Sequence, residues 1–256
     1  MNAGGGEEGT PVRRPVLTHK QAVEIALTDP AVRRAVAAAE ALSPRVMQRH
    51  RLYAESAQGL LGDLAAVGFP GLKEVGELRH RGVRYEEAVP VLLEWLPRAS
   101  YLMLADDIVR TLSVGFAKGL AAPVFLRLFR EPPAVEDPLR PATSEPPREH
   151  LRWVIGNGLG IFAGPSLAGD LIELALDRRF GEARYQIVAA LPKTKDERVP
   201  GVLVSLLDDP SVCAHAIGAL GKMRVDAARP AIEAMLASSD KNVRDQAKKA
   251  LKRIDG

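Results

Sequence analysis

Apolar residues recur along this chain in short helical runs, each opened by a proline or a glycine. The five runs are Pro90-Val-Leu-Leu-Glu-Trp-Leu96, Pro123-Val-Phe-Leu-Arg-Leu-Phe129, Gly169-Asp-Leu-Ile-Glu-Leu-Ala175, Pro200-Gly-Val-Leu-Val-Ser-Leu206 and Pro230-Ala-Ile-Glu-Ala-Met-Leu236. Their starts lie 30 to 33 residues apart, except for 46 between Pro123 and Gly169. A period of this size predicts a helical-repeat solenoid, in which each unit buries its apolar face only by stacking on its neighbours.

Each run reads as the second helix, B, of a pair. The first helix, A, has its own echo in an arginine preceded by an apolar or small residue: Val109-Arg110, Leu151-Arg152, Ala183-Arg184 and Val243-Arg244, with Val212-Cys213 in the equivalent place. Small or aliphatic residues follow at three and six positions, as in Ile187 and Ala190 or Ala247 and Ala250, a stripe suited to close helix packing. In the B runs, Leu92, Phe125, Leu171, Val202 and Ile232 form one expected core column, and Leu96, Phe129, Ala175, Leu206 and Leu236 a second. Acids four residues before the proline, at Glu86, Asp196 and Asp226, suit free N–H groups and the positive end of the helix dipole.

Before the repeats, residues 1–15 are rich in Gly and Glu and are expected to form a disordered tail. Residues 16–70 are expected to form an N-terminal helical cap. Asp29-Pro30 opens a helix over 31–42 there, Ser43-Pro44 restarts the chain into a second one, and Gly68-Phe-Pro-Gly71 ends it. About five helix pairs and a C-terminal capping helix then occupy 71–256. The long interval is a proline-rich loop inserted at 131–148, where six prolines forbid a helix. Such an insertion suits either a tolerated surface loop or a binding loop.

Composition agrees with helices: aromatics are 5% of the chain, so Leu, Val and Ala must fill the core. The net charge of +3 equals the surplus carried by residues 240–256 alone, which leaves a balanced body and no long electrostatic track for nucleic acid. The lone Cys213 excludes an intramolecular disulfide framework and a cysteine-cluster zinc site. No run is apolar enough to span a membrane and the N-terminus lacks a secretory pattern, so a cytoplasmic setting is expected.

The stretches Leu207-Asp-Asp-Pro-Ser-Val-Cys-Ala-His-Ala-Ile-Gly-Ala-Leu-Gly221, Ala227-Ala-Arg-Pro-Ala-Ile-Glu-Ala-Met-Leu236 and Asn242-Val-Arg-Asp-Gln-Ala-Lys-Lys-Ala-Leu251 resemble the HEAT repeat, in the short variety of bacterial and phycobilisome-lyase-like proteins. The resemblance is strongest over 181–254. It implies an all-α fold: a right-handed α-α superhelix of antiparallel helix pairs, with B helices lining the concave side, here preceded by an N-terminal helical extension. It implies no single activity.

No catalytic constellation accompanies this pattern. The five histidines stand singly, no His-Glu pair of the kind found in HEAT-repeat hydroxylases occurs, and no cofactor or metal site is expected. Gly156-Asn-Gly-Leu-Gly160 lacks the strand and the Lys-Ser or Lys-Thr of a phosphate loop, and is better suited to tight helix packing. The expected function is therefore a non-enzymatic scaffold or adaptor that binds a protein, peptide or helix on the concave surface. Glu87, Glu94, Arg127, Asp170 and Glu173 supply its candidate polar contacts. Trp95 is a candidate aromatic anchor, with inter-repeat core as its competing role. Lys241, Arg244, Lys248 and Lys252 form a candidate basic patch. The alternative is nucleic-acid binding of the kind performed by HEAT-like base-excision glycosylases, against which the mixed charge of the B-helix columns weighs.

Overall fold

A computed structural model describes residues 30–256, and a division between two compact units falls between Arg49 and His50. The expected tail over 1–15 and the Asp29 cap lie outside the described residues. The first described helix, α1 (Pro30–Ala66), is continuous and carries Pro44 in its interior, so the expected restart at Ser43-Pro44 does not occur. A proline deletes one backbone hydrogen bond, and nucleating a second helix costs more in ordered residues than one missing bond. The expected boundary near residue 70 also moves. Tyr53, Ala57, Leu60 and Leu64, spaced as one helix face, are buried, so the chain from His50 onward belongs to the repeat unit.

That unit is an all-α solenoid of antiparallel helix pairs. Its B-type helices are α2 (Ala88–Trp95), α4 (Lys118–Arg130), α6 (Ala168–Leu176), α8 (Val199–Ser205) and α10 (Arg229–Ala234). The A-type helices are α3 (Leu102–Leu112), α5 (Pro147–Phe162), α7 (Tyr185–Ala190), α9 (Cys213–Met223) and the C-terminal α11 (Lys241–Asp255). Each A-type helix packs on the next, and each B-type helix packs on the A-type helix that follows it. Between α1 and α2 the chain forms one 3-10 segment, Val75–His80.

Small residues permit this stacking. A Cβ placed on Gly160 would stand 2.8 Å from the Gln186 carbonyl oxygen on α7, and one on Gly221 2.6 Å from Ala250 Cα on α11. The glycines of Gly156-Asn-Gly-Leu-Gly160 are therefore packing residues: Gly156 faces the Ala183 carbonyl and the Phe129 ring, and Gly158 the Phe125 ring. Gly181 has a different role. With φ 47° and ψ −132° it turns the chain within the 3-10 segment Arg178–Arg184, a conformation that L side chains resist.

The first core column is buried at Leu92, Phe125, Leu171 and Ile232. In α8, however, Val202 is only half-buried, and Leu203 fills the core with Val199 and Leu206, one face at spacings of four and three. The second column holds at Leu96, Phe129, Ala175 and Leu206 but fails at Leu236, which is 38% exposed. By then α10 has ended and the chain continues as the 3-10 segment Met235–Ala237. Three residues per turn in place of 3.6 rotates the side chain off the buried face.

The inserted segment is irregular, as its prolines require, and its backbone is anchored. Leu102 N donates to the Glu136 carbonyl at 2.9 Å and Glu136 N donates to the Ser100 carbonyl at 2.8 Å, a parallel bridge between Tyr101 and Glu136. Val135 is buried beside it, and Arg148 Nε donates to the Pro132 carbonyl at 2.9 Å. Pro147 already forms the first turn of α5.

Candidate functional site

The A-type arginines act as struts between repeats. Arg152 Nε donates to the Phe129 carbonyl, Arg184 Nη1 to the Ala175 carbonyl, each at 2.9 Å, and Arg244 Nη1 to the Ser238 carbonyl at 2.6 Å. Each contact supplies a donor where a B-type helix, or the 3-10 turn extending it, leaves carbonyls without an intrahelical partner. Asp177, Asp209 and Asp240 occupy the turns between repeats, each accepting from the backbone N–H two residues later. Arg110 departs from this pattern. It pairs with the buried Asp106, which also meets His150 Nε2 at 3.1 Å. Burial alone would raise the Asp106 pKa; the His150 and Arg110 contacts outweigh it and hold the carboxyl below its usual range.

With these residues committed to structure, the exposed positions of the B-type helices stand out. Glu94, Arg127, Glu173, Val204 and Ala234, one per B-type helix, are all exposed, and Glu87 is exposed just before α2. Their chemistry differs along the series. Glu94 accepts from Arg98 one turn on, at 3.0 Å. Glu173 accepts from Arg130 Nη2 at 3.0 Å, and Asp170 lies 3.8 Å from the same group. Arg130, absent from the sequence candidates, thus ties both predicted acids to α4. Because 43 positions separate Arg130 from Glu173, across the insertion, no local spacing signals this pair.

A cleft of ≈ 450 Å³ beside this pair is lined by Arg130, Arg152, Glu173, Asp177, Arg179 and Phe180. Arg152 and Arg179 both stack on the Phe180 ring, at 5.3 and 5.7 Å from its centroid. Each of its arginines already has a carboxylate partner: Glu173 for Arg130, Glu149 for Arg152 and Asp177 for Arg179.

Arg127 differs. It is exposed, it makes no ion pair among the described residues, and it lines a cleft of ≈ 430 Å³ with Pro97, Glu131, Pro132, Pro133 and Arg148. The end of the first B-type run, α4 and the start of the inserted segment are thus brought together around one unpaired guanidinium.

Trp95 resolves toward structure. Its indole Nε1 donates to Asp63 Oδ2 at 2.7 Å, its ring lies against Gly59, and Arg98 covers the ring at 4.9 Å. The candidate basic patch divides similarly. Lys241, Lys248 and Lys252 are exposed, whereas Arg244 holds the Ser238 and Ser239 carbonyls.

Among the described residues, no group of three or more His, Cys, Asp or Glu is placed to hold a metal ion. No single helix among them is long and apolar enough to cross a membrane. Comparison with protein families and with curated proteins finds no match. Among solved structures, the chain is similar to a designed armadillo repeat protein at 16% identity and a TM-score of 0.45, over 79% of this chain and 99% of that one.

Proposed function

We propose that this protein is a non-enzymatic, cytoplasmic scaffold of the HEAT-like kind that binds a peptide or helix of a partner protein along its exposed B-helix column. The observation that carries this reading is Arg127, an unpaired guanidinium in a cleft walled by prolines. Proline walls lose no backbone donor on binding and little entropy on ordering. A free arginine in such a cleft is suited to a partner carboxylate through paired N–H donors. Glu94 and Glu173, on the B-type helices before and after it, are exposed but already paired with Arg98 and Arg130, which leaves Arg127 as the open charge of the three. HEAT-type stacking would place these side chains on the concave side.

The test is a photo-crosslinking residue at position 127 or 94 in the native host, with crosslinked peptides mapped by mass spectrometry. The expected result is one dominant partner segment, with the yield at position 94 reduced at least about tenfold by Arg127→Glu, the cost of one lost charge pair. An unchanged crosslinking pattern after Arg127→Glu combined with Glu173→Lys would refute the proposal.

A further inference from the structure

At the C-terminal end of the solenoid, the A-type helices carry a second polar groove that no B-type helix borders. It holds ≈ 380 Å³ between α9 and α11, with Ala189 of α7 at its edge. Close contact of Gly221 with Ala250 brings the two helices together, and Gly218 with its small neighbours forms an open floor. Lys222 of α9 and Lys249 and Arg253 of α11 converge on this groove, and Asn242 and Gln246 add side-chain amides.

Three cations meet there, and no carboxylate is among the lining residues. Lys222, Lys249 and Arg253 form no ion pair among the described residues, unlike nearby Arg229, which is held by Asp226 and Asp255. Converging like charges without a counter-charge repel one another, and an arriving anion relieves that repulsion. The groove wall registers the field. His215 stacks on Tyr185 with ring centroids 4.3 Å apart, and its Nδ1 is buried without a hydrogen-bond partner. Burial, followed by the Lys222 charge, pushes its pKa below the ordinary histidine value.

We infer that the α9–α11 groove is a docking site for an acidic peptide segment of a partner protein, with Lys222, Lys249 and Arg253 receiving its carboxylates and Asn242 and Gln246 its backbone amides. The compactness of the cluster selects a peptide over a nucleic acid. A duplex neutralises a succession of phosphates along a basic track. Here the cations occupy one groove, and Lys193 on the preceding repeat is already held by the Gly160 carbonyl. The paired donors and acceptors of Asn and Gln match a peptide main chain. This site is separate from the Arg127 cleft and stands or falls independently of it.

The test is fluorescence anisotropy of the full chain with a labelled peptide of alternating Glu and Ala, beside a Lys-Ala peptide and a labelled duplex DNA. Lys222 and Lys249 are exposed, so charge reversal there leaves the core intact, which circular dichroism checks. Lys222→Glu and Lys249→Glu are each expected to weaken binding of the Glu-Ala peptide by about tenfold or more, as expected for a lost or inverted close charge pair. Lys241→Glu, two turns from Lys249 along α11, should leave it within about twofold, the range of a screened distant charge. Saturating peptide should also raise the His215 pKa, read from its imidazole resonance. Equal weakening by Lys241→Glu would show diffuse attraction to a charged helix and overturn the site. So would tighter binding of the duplex with a steep salt dependence, or the absence of saturable peptide binding.

Discussion

Arg184 and Asp209 form an ion pair sealed from water: Arg184 Nη2 donates to Asp209 Oδ2 at 2.8 Å, and the two side chains are 0% and 4% exposed. The other two guanidinium nitrogens of Arg184 donate as well, Nη1 to the Ala175 carbonyl and Nε to the Gly181 carbonyl, each at 2.9 Å. Asp209 in turn accepts from Ser211 N at 3.0 Å. Desolvating two charges is costly, and good geometry with further hydrogen bonds offsets it. Removing one partner leaves the other charged and buried. Arg184→Ala is therefore expected to lower unfolding stability by about 3–5 kcal/mol, measured by urea denaturation. The double variant Arg184→Met, Asp209→Leu should recover part of that loss; a double variant as unstable as the single one would contradict the pairing account.

Two glycines should respond to alanine in opposite directions. At Gly221 the new methyl would meet Ala250 at 2.6–2.7 Å, so α9 and α11 must separate, at about 1–3 kcal/mol. At Gly62, within exposed α1 surface, nothing lies within 4 Å of an added Cβ. There alanine removes only the helix penalty of glycine and should stabilise by about 0.5–1 kcal/mol. Thermal melts of Gly221→Ala and Gly62→Ala check both signs.

His215 predicts a pH dependence. Its folded pKa is depressed below the ordinary 6.5 by burial and by Lys222. Below that value the unfolded chain binds the proton that the folded chain resists, so stability falls with falling pH until the folded pKa is passed. Urea midpoints should decline from pH 7 to pH 5, and His215→Phe, which keeps a ring against Tyr185, should flatten that decline. An identical slope in the variant would exclude His215 as its source.

Cys213 is buried, with its Sγ 3.9 Å from Met235 Sδ. Burial, and then the charges of Asp240, Asp209 and Asp208, raise its pKa, so the reactive thiolate is scarce. A disulfide reagent at pH 8 is expected to label the native protein far more slowly than the urea-unfolded chain. Labelling should accelerate in Gly221→Ala, because the rate then follows local opening at the C-terminal end.

The core was legible where helices ran at 3.6 residues per turn, as at Phe125, Phe129 and Leu171. The error at Leu236 came from the switch to 3-10 geometry, which has no apolar signature of its own. The exposed column from Glu94 to Ala234 was legible by the same periodicity, since residues off the buried stripe must face solvent. Partnership was not. Trp95 with Asp63 and Arg130 with Glu173 are contacts between elements far apart in sequence, and a side chain's identity says that it can pair without saying with what. The α9–α11 groove has no sequence signal for a related reason. Helical spacing groups Lys241, Arg244, Lys248 and Lys252 on one stripe of α11, whereas Lys249 and Arg253 line the groove with Lys222.

The parallel bridge between Tyr101 and Glu136 gives the inserted segment a mechanical meaning. Parallel pairing requires a long crossover, and here the crossover is the whole α3–α4 pair. The chain enters that pair at Ser100 and leaves it at Glu136, with backbone hydrogen bonds joining the two points. Tension applied along the chain from either side loads these bonds together, in shear, and passes from one point to the other without first reaching α3 or α4. The proline-rich segment thus acts as a buckle, and the helix pair it closes is spared until the buckle opens.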